Sequence, residues 1–293
     1  MKNKYVSLKR KNKITNTIIY VILITISIIW LIPFVFLLLQ SFRVESTTIT
    51  NYVIPKKWGL DNYINLLTKT NFLKWYLNTL FVSLAVSILQ TIIILSMSYT
   101  LSRLRFKSRK FLMNLMLILG MFPGFLTMIV LYFVLKDLNL TQANAPFGLI
   151  LVSIASSGMN YYICKGYLDT IPKSLDEAAR VDGANRFQVF YKVMLHLAKP
   201  IIIYTLLTSF MAPWTDFIFA RYLAFGEEKG FTVAVGLWSW LLKDTITSKY
   251  TLFCTGGVLV AIPVTILFML LQKYYVEGIT GGAVKGYVNV WLL

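Results

Sequence analysis

Six apolar runs, five of them uncharged, constrain this chain more than any other feature of its sequence. Each run offers roughly 20 residues, enough for a helix to cross about 30 Å of hydrocarbon. Charged residues make up only 14% of the chain, against roughly 25% in soluble proteins. The sequence therefore predicts an all-α integral membrane protein, a single transmembrane domain over residues 1–293, with six transmembrane helices at about 14–40, 76–101, 111–135, 146–164, 200–220 and 250–272.

The basic residues predict the orientation of these spans. With six spans, the two termini and the loops at 102–110 and 165–199 lie on the same side of the membrane. These four segments contain 19 of the 29 Lys and Arg residues. By the positive-inside rule that side is the cytoplasm. This bias explains the net charge of +17, so we do not expect nucleic acid as a partner. The first run is too long for a signal peptide and no small-residue cleavage site follows it, so we expect it to remain as a span.

A charged, amphipathic segment interrupts the apolar runs at 174–200. Ser174, with Glu177 three residues later, predicts a capping box at the start of a helix of about nine residues. Gly183 is placed to end that helix in the left-handed conformation, and Asn185 to cap a second helix that runs to about Leu197. A helix this short is marginal alone in water, so it needs a partner surface. The alternative is an ordinary amphipathic connector lying on the membrane face.

The same segment resembles the EAA loop of bacterial ABC importer permeases. The similarity lies in Glu177-Ala178-Ala179, Asp182-Gly183-Ala184, Phe190, Val193 and Leu195. In that family the loop is the coupling helix, which docks in a cleft of the ATP-hydrolysing subunit. The resemblance therefore implies a cytoplasmic coupling loop between spans four and five, with ATPase-coupling roles for Glu177, Ala178, Ala179, Asp182, Gly183 and Phe190.

One departure from the family pattern lies near the end of the second helix. The family usually has Leu-Pro where this chain has Leu195-His196. A proline would end the helix sharply, and Pro200 is the residue that can take over that role. His196 is the only histidine of the chain. It is interpreted as an interfacial polar residue, because a lone histidine cannot build a metal site.

The segment after the sixth span, 273–293, resembles the tail of carbohydrate-importer permeases, particularly of the maltose and maltodextrin type. The similarity lies in the stretch KYYVEGITGGAVKG. Glycines in such a stretch permit close backbone approach to another surface, and in that family the tail reaches toward the paired ATPases. The resemblance implies cytoplasmic tail contacts by Glu277, Gly278, Gly281, Gly282, Lys285 and Gly286. The alternative is a disordered terminus.

Asp216 is the one acidic residue inside a predicted span. A charge at the bilayer centre costs about 2.5–3.5 kcal/mol on insertion scales, so such residues usually face a cavity or a partner. We expect a substrate path for sugar that is lined by Asp216, Trp214, Asn160 and Tyr161. The alternative is an interfacial aspartate near Arg221.

The apolar stretch at 231–242 is too short to cross the membrane, and the predicted topology places it on the outer side. Two interpretations stay open. It is either a helix at the headgroups, anchored by Trp238 and Trp240, or a loop that lines the outer mouth and touches a delivered partner.

No catalytic constellation, metal-ligand cluster or nucleotide-binding glycine loop is found in the sequence. The sequence therefore indicates a non-catalytic subunit that has no metal or cofactor of its own. Cys164 and Cys254 lie in or at apolar runs, and we expect them to be reduced packing residues.

The resemblance covers nearly the whole chain and implies a permease subunit of an ATP-driven sugar importer in the bacterial cell membrane. The implied cargo is maltose, maltodextrin or a related oligosaccharide. The implied partners are a second permease in a heterodimer, two ATPase subunits that bind the ATP, an extracytoplasmic sugar-binding protein, and membrane lipid. The alternative is a self-sufficient channel or ion-coupled secondary transporter, which needs intramembrane charges and often shows an inverted repeat. A membrane-embedded enzyme is disfavoured because no acid–base or metal cluster is found.

Overall fold

The structure, a computed structural model, describes residues 2–45, 52–121, 124–156 and 158–280. Apart from one isolated antiparallel bridge between Arg43 and Trp58, the regular elements in these ranges are helices, which confirms the all-α prediction. The main helices are α1 Lys2–Ser41, α2 Asp61–Lys69, α3 Phe72–Arg103, α4 Arg109–Gly120, α5 Gly124–Asp137, α6 Ala145–Ala155, α7 Gly158–Thr170, α8 Lys173–Val181, α9 Arg186–Leu197, α10 Lys199–Thr215, α11 Ile218–Ala224, α12 Val233–Ser239 and α13 Ile246–Thr280.

Three helices of the described ranges are long and apolar enough to cross a membrane by themselves. They are Lys13–Ser41, Phe72–Arg103 and Ile246–Lys273, and they contain the predicted first, second and sixth spans. Two bent helix pairs raise the number to at most five: Leu126–Asp137 with Gln142–Ala155, at 107°, and Arg186–Leu197 with Lys199–Thr215, at 81°.

The middle spans are shared between shorter helices. The predicted span 111–135 is divided between α4 and α5, and the predicted span 146–164 between α6 and α7. The predicted span 200–220 is interrupted where α10 ends at Thr215 and α11 begins at Ile218. Because hydropathy registers apolar length and not the continuity of a helix, the count of six spans stays a prediction.

The ranges Met1–Thr70 and Trp240–Leu259 form one compact unit, in which polar contacts hold the end of α1. The Ser41 hydroxyl lies 2.8 Å from the Tyr63 hydroxyl. The Asn62 amide donates to the carbonyls of Ser41 and Arg43, at 3.0 and 2.7 Å, and Thr255 of α13 donates to the Ser41 carbonyl at 3.3 Å. The long apolar part of α1 before this point is exposed, as expected for a surface that faces lipid or another chain.

The ranges Asn71–Ser239 and Val260–Leu293 form the second unit, and α3 is its central helix. It packs against α6, α7, α10 and α12. Three of its polar side chains donate to carbonyls of three neighbouring helices: Ser87 to Leu206 (3.0 Å), Gln90 to Ser153 (2.6 Å) and Ser98 to Tyr161 (3.1 Å). Small and polar residues of this kind let membrane helices approach closely and bond to one another, so α3 fixes the positions of its neighbours.

The stretch around α12, which the sequence left open between two interpretations, packs on α3. The Val233 N–H donates to the Thr79 hydroxyl at 2.8 Å, and Val233, Val235 and Gly236 are buried. The guanidinium of Arg221 lies 5.0 Å from the ring centroid of Trp238. The segment 231–239 is therefore an integral part of the second unit's packing, and the sequence pattern did not reveal this.

A substitution at Gly236 can test how closely α12 approaches α3. A Cβ at this position would collide with the indole ring of Trp75, whose side chain is buried. We predict that Gly236→Ala lowers the midpoint of thermal unfolding in detergent, with an overpacking cost of about 1–3 kcal/mol.

Gly166→Ala is the matched control, because a Cβ on Gly166 of α7 meets nothing within 4 Å. Alanine is the better helix former, so this control is expected to leave the midpoint unchanged or raise it. Equal midpoints for Gly236→Ala and the parent chain would contradict the packing of α12 on α3.

Candidate coupling loop and cavity

The loop between α7 and α10 consists of two helices joined by a tight turn. The first, α8, has nine residues, as the sequence predicted. Gly183 follows with φ +86°, the left-handed conformation expected of it. Asn185 then caps α9 in a capping box with Gln188: the Gln188 N–H donates to the Asn185 side chain at 2.9 Å, and the Asn185 N–H donates to the Gln188 side chain at 2.8 Å.

The predicted cap at Ser174 is wrong. The helix begins earlier, since Pro172 is its N-cap residue and makes no side-chain cap, and the Leu175 N–H donates to the Pro172 carbonyl at 3.4 Å. Only Ile171 and Pro172 separate α7 from α8. Ser174 therefore already lies within the helix, where its hydroxyl cannot serve as the N-cap.

The inner side of the loop packs into a hydrophobic cluster with α3 and α7. Val189, Met194 and Ala198 are fully buried there, and Ala179 and Phe190 are partly buried against the same cluster. The ring centroids of Phe190 and Tyr99 of α3 lie 4.8 Å apart. Of the six predicted coupling residues, Ala179 and Phe190 therefore hold the loop on the chain's own helices, whereas Glu177, Ala178, Asp182 and Gly183 are exposed.

A buried ion pair ties α8 to the end of α3. The Arg103 Nε lies 3.1 Å from an Asp176 carboxylate oxygen, and the two side chains are 2% and 7% exposed. Arg103 also donates through Nη2 to the Ile171 carbonyl at 2.8 Å, just before α8 begins. Burial removes most of the screening that weakens ion pairs at a surface, so this pair fixes where α8 sits on α3.

Sequence reasoning missed this pair. Arg103 belongs to a basic cluster that was interpreted only as an orientation signal, and Asp176 stands beside Glu177 as one more acid. One signal could have found Asp176: it precedes the small residue Ala179 by three positions, a spacing that puts both on one helix face.

Asp169, near the end of α7, makes a second polar link to α3. It accepts from the Ser102 hydroxyl at 2.5 Å and lies 2.5 Å from the Lys165 ammonium. Burial raises the pKa of this carboxyl, but the hydrogen bonds from Lys165 and Ser102 and the charges of Lys165 and Arg109 outweigh burial and leave the pKa below its ordinary value. Asp169 therefore stays ionised near neutral pH, and its stabilising contribution is lost only as the pH falls through this lowered pKa.

Several apolar side chains of the loop face outward. Val181 is 87% exposed, Phe187 is 73% exposed and Tyr191 is 60% exposed. The rings of Phe187 and Tyr191 stack with their centroids 6.5 Å apart and their planes at 7°. Large apolar groups exposed on an otherwise charged segment are typical of interaction surfaces.

The second helix of the loop turns sharply into α10. Its middle, Val189–Met194, is a π-helix, and it ends at Leu197. After Ala198 the chain enters α10 at 81°, and Pro200 lies in the first turn of α10, where proline is tolerated. The bend therefore occurs next to Pro200, the residue expected to replace the family proline, and His196 is exposed just before it.

Asp216 and Tyr161, two of the four predicted path residues, line one cavity of about 670 Å³. Its wall also carries the apolar side chains of Met97, Met116, Met128, Leu131 and Phe219, and the hydroxyls of Thr127, Ser153 and Ser156. Asp216 directly follows α10, and one of its carboxylate oxygens accepts from the Phe219 N–H of α11 at 3.2 Å. The cavity is thus a largely apolar chamber with hydroxyls and one acidic group.

The other two predicted path residues do not line this cavity. Trp214 is buried and packs on Tyr76, with ring centroids 5.3 Å apart. Asn160 is half-buried on α7 and is not among the lining side chains. Two of the predicted tail contacts, Glu277 and Gly278, lie in the last part of α13, from residue 274 on, where the structure does not describe side chains. The other four, Gly281, Gly282, Lys285 and Gly286, lie outside the described residues.

The fold places this chain in a known structural class. A crystal structure described as a bacterial ABC transporter involved in the import of the acidic polysaccharide alginate superimposes with a TM-score of 0.76. The match covers 91% of this chain and 98% of that chain at 24% sequence identity. At this identity the likeness shows the fold alone, which this chain shares with the matched chain of that transporter.

The sequence comparisons identify the family. Residues 91–281 match the family described as the inner membrane component of binding-protein-dependent transport systems. The chain is 35% identical over 281 residues to the maltodextrin transport system permease protein MalD of Streptococcus pneumoniae, covering 96% of this chain and 99% of MalD. It is 34% identical to the maltodextrin permease MdxG of Bacillus subtilis (91% and 95% covered), and 33% identical to the galactooligosaccharide permease GanQ of that organism (91% and 94% covered).

The chain therefore belongs to the family of inner membrane components of binding-protein-dependent transport systems. This confirms the resemblance to importer permeases of the maltodextrin type that the loop and the tail sequence indicated. The family match includes α8, the turn at Gly183 and α9, and it ends at residue 281.

The Arg103–Asp176 pair can be tested by replacing its members singly and together. Arg103→Met leaves the Asp176 carboxylate buried without its partner, and we expect a loss of about 3–5 kcal/mol in stability. Asp176→Leu is expected to destabilise for the same reason. The double variant has neither charge and is expected to recover most of the loss. Unfolding of the four proteins in detergent measures this, and additive losses in the double variant would contradict the pairing.

Proposed function

We propose that this chain is the permease subunit of an ATP-driven sugar importer, and that its cargo is maltodextrin or a related oligosaccharide. The observation that carries the proposal is the 35% identity to MalD, which extends over 96% of this chain and 99% of that permease. The relatives MdxG and GanQ are also named for oligosaccharide transport. In this proposal the chain hydrolyses no ATP, and a partner ATPase does so.

The loop formed by α8 and α9 is the element proposed to receive the motion of the ATPase. Its inner residues are fixed to α3 by the buried ion pair and by the cluster around Phe190. Its outer residues Val181 and Phe187 are exposed. An element that is firmly held on one side and apolar on the other is suited to dock into a partner and to move with it.

The cavity lined by Asp216 and Tyr161 is proposed as part of the translocation path. Hydroxyl groups and an acidic group offer hydrogen-bond partners to sugar hydroxyls, and the surrounding methionine side chains are flexible and adapt to different shapes. A chamber with few strong contacts suits passage, since a transported molecule has to leave as readily as it enters.

Membership of the family supports a proposal for the assembly. The proposed partners are a second permease in a heterodimer, two ATPase subunits and an extracytoplasmic sugar-binding protein. We place the chain in the bacterial cell membrane, with α8 and α9 and both termini in the cytoplasm, where ATP is available. The tail after residue 273 is proposed to contact the ATPase pair.

The docking role of the loop is tested by making its outward face polar. We predict that Val181→Ser combined with Phe187→Ser weakens binding of the ATPase subunits by about tenfold or more, because burial of one large apolar side chain contributes about 1.5–3 kcal/mol. Co-purification of the ATPase and maltodextrin-stimulated ATP hydrolysis of the reconstituted complex are measured together.

Val53→Ser combined with Ile54→Ser is the matched control, because these residues are 57% and 66% exposed and are predicted to lie on the opposite side of the membrane. This control is expected to retain the ATPase. If the parent chain transports sugar alone and carries no ATPase, the importer proposal fails in favour of a self-sufficient channel or an ion-coupled transporter.

The role of Asp216 is tested with an isosteric change. Asp216→Asn keeps an acceptor for the Phe219 N–H but removes the charge from the cavity. We predict that maltodextrin uptake, normalised to the amount of permease in the membrane, falls about tenfold, consistent with the loss of one or two charge-assisted hydrogen bonds.

Asp137→Asn, an exposed acid at the end of α5, serves as the control and is expected to leave normalised uptake unchanged. Unchanged uptake in Asp216→Asn would remove Asp216 from the path. A fall in abundance alone would assign it a structural role at the start of α11.

A further inference from the structure

A charged cleft of about 390 Å³ lies where the end of α3 meets the loop. We call it the basic cleft, and its lining residues are Arg103, Leu104, Arg105, Lys173, Asp176, Glu177, Arg180 and Arg186. Five of these side chains are basic and two are acidic, and one of the acids, Asp176, is already paired with Arg103. The cleft therefore carries an excess of positive charge that its own acids do not neutralise.

Arg103 is the most buried cation of the cleft. Its side chain is 2% exposed, and its Nε and Nη2 are directed at Asp176 and at the Ile171 carbonyl. The remaining nitrogen, Nη1, is buried and has no hydrogen-bond partner among the described residues. This N–H is closed off from solvent, so Arg103 contributes its positive charge to the cleft, and the accessible donors are those of the exposed cations on the rim.

The rim of the cleft adds exposed cations from three elements. Arg105 follows α3, Lys173 and Arg180 lie on α8, and Arg186 begins α9. Glu177 also lies on the rim, so four basic groups stand against one acid there. Guanidinium groups match the oxygens of phosphate in pairs of parallel hydrogen bonds, and several cations around one buried guanidinium favour a phosphate over a single carboxylate.

The position of the cleft along α3 suggests where a phosphate comes from. The helix Phe72–Arg103 is long and apolar enough to cross a membrane, and Arg103 is its last residue. Arg103 stands two residues after the predicted second span, which ends at about residue 101, so we expect it near the lipid headgroups, where basic pockets between helices bind anionic headgroups. Leu104 gives the cleft one apolar wall residue.

We propose that the basic cleft is a phosphate-binding site, occupied by the headgroup phosphate of an anionic phospholipid or by free phosphate. A phosphate held there would contact α3, α8 and α9 together and would fix the loop relative to the membrane surface. This proposal goes beyond sugar import and does not rest on it, since binding is measured without transport.

The test uses the purified full-length chain in detergent and native mass spectrometry. The probes are phosphatidylglycerol, phosphatidylcholine as the lipid without net charge, and inorganic phosphate in excess as a free competitor. Arg105→Gln combined with Arg186→Gln removes two exposed rim cations and leaves the buried Arg103–Asp176 pair intact. We expect retention of phosphatidylglycerol to fall at least about tenfold, since each basic residue near a lipid surface contributes substantially to binding.

Lys107→Gln combined with Lys110→Gln is the charge-matched control, because both residues are exposed and neither lines the cleft. This control is expected to retain phosphatidylglycerol as the parent chain does. Loss confined to the rim variant, without competition by inorganic phosphate, supports a headgroup site. Loss in the rim variant together with competition by inorganic phosphate supports a site that also takes the free ion.

Two results would overturn the proposal. Retention of phosphatidylglycerol that is equal in the parent chain and the rim variant, with no competition by inorganic phosphate in either, would show that the cleft binds neither a headgroup nor free phosphate. Retention that falls equally in the rim variant and in the Lys107/Lys110 control would show that the lipid responds to the overall charge of the chain and not to the cleft.

Discussion

The pairing of Arg103 with Asp176 is the contact on which the arrangement of the loop depends. A nine-residue helix has too few hydrogen bonds to be stable alone in water, so α8 exists because something holds it. Withdrawing two charges from water is costly, and a buried pair often adds little net stability. The main effect of the pair is to fix the position of α8. Because Arg103 also donates to the Ile171 carbonyl at 2.8 Å, any other placement of α8 would leave a buried charge unpaired.

From this contact the chain continues through α9 and α10 to the cavity. The inner residues of α9 lie in the same cluster as α3 and α7, and the chain bends at Ala198 directly into α10. This helix has 17 residues and is therefore about 25 Å long. Asp216 follows its last residue and lines the cavity. The loop and the cavity thus lie at opposite ends of one helix that packs on α3.

Local sequence chemistry predicted the parts of the loop that depend on neighbouring residues. The turn at Gly183, the cap at Asn185 and the length of α8 follow from residues within four positions of one another. The cap at Ser174 failed because tertiary contacts at Ile171 and Asp176 start the helix earlier than the local pattern indicates. The Arg103–Asp176 pair joins residues far apart in sequence, so no local pattern could reveal it.

The prediction of the membrane helices from sequence was incomplete for a different reason. Apolar composition located every long stretch of helix, but it contains no information on where a helix bends or breaks. The 81° bend into α10 lies next to Pro200, and the break at Asp216 follows Pro213 by three residues, so proline positions mark these sites and apolar composition does not. Apolar composition also gives no sign of the place of Trp214 on Tyr76, which removes Trp214 from the cavity wall although it stands two residues from Asp216.

The three consecutive residues Glu177, Ala178 and Ala179 show how a helix as short as α8 can contact several surfaces. An α-helix turns about 100° per residue, so these neighbours point in three directions. Glu177 lines the basic cleft, Ala178 is exposed on the side of the outward apolar residues, and Ala179 packs inward on the cluster. A large side chain at the inward position would push α8 away from α3 and strain the Arg103–Asp176 contact, whereas the outward position lacks this constraint. Ala179 and Glu177 therefore meet different neighbours, although only Ala178 stands between them in the sequence.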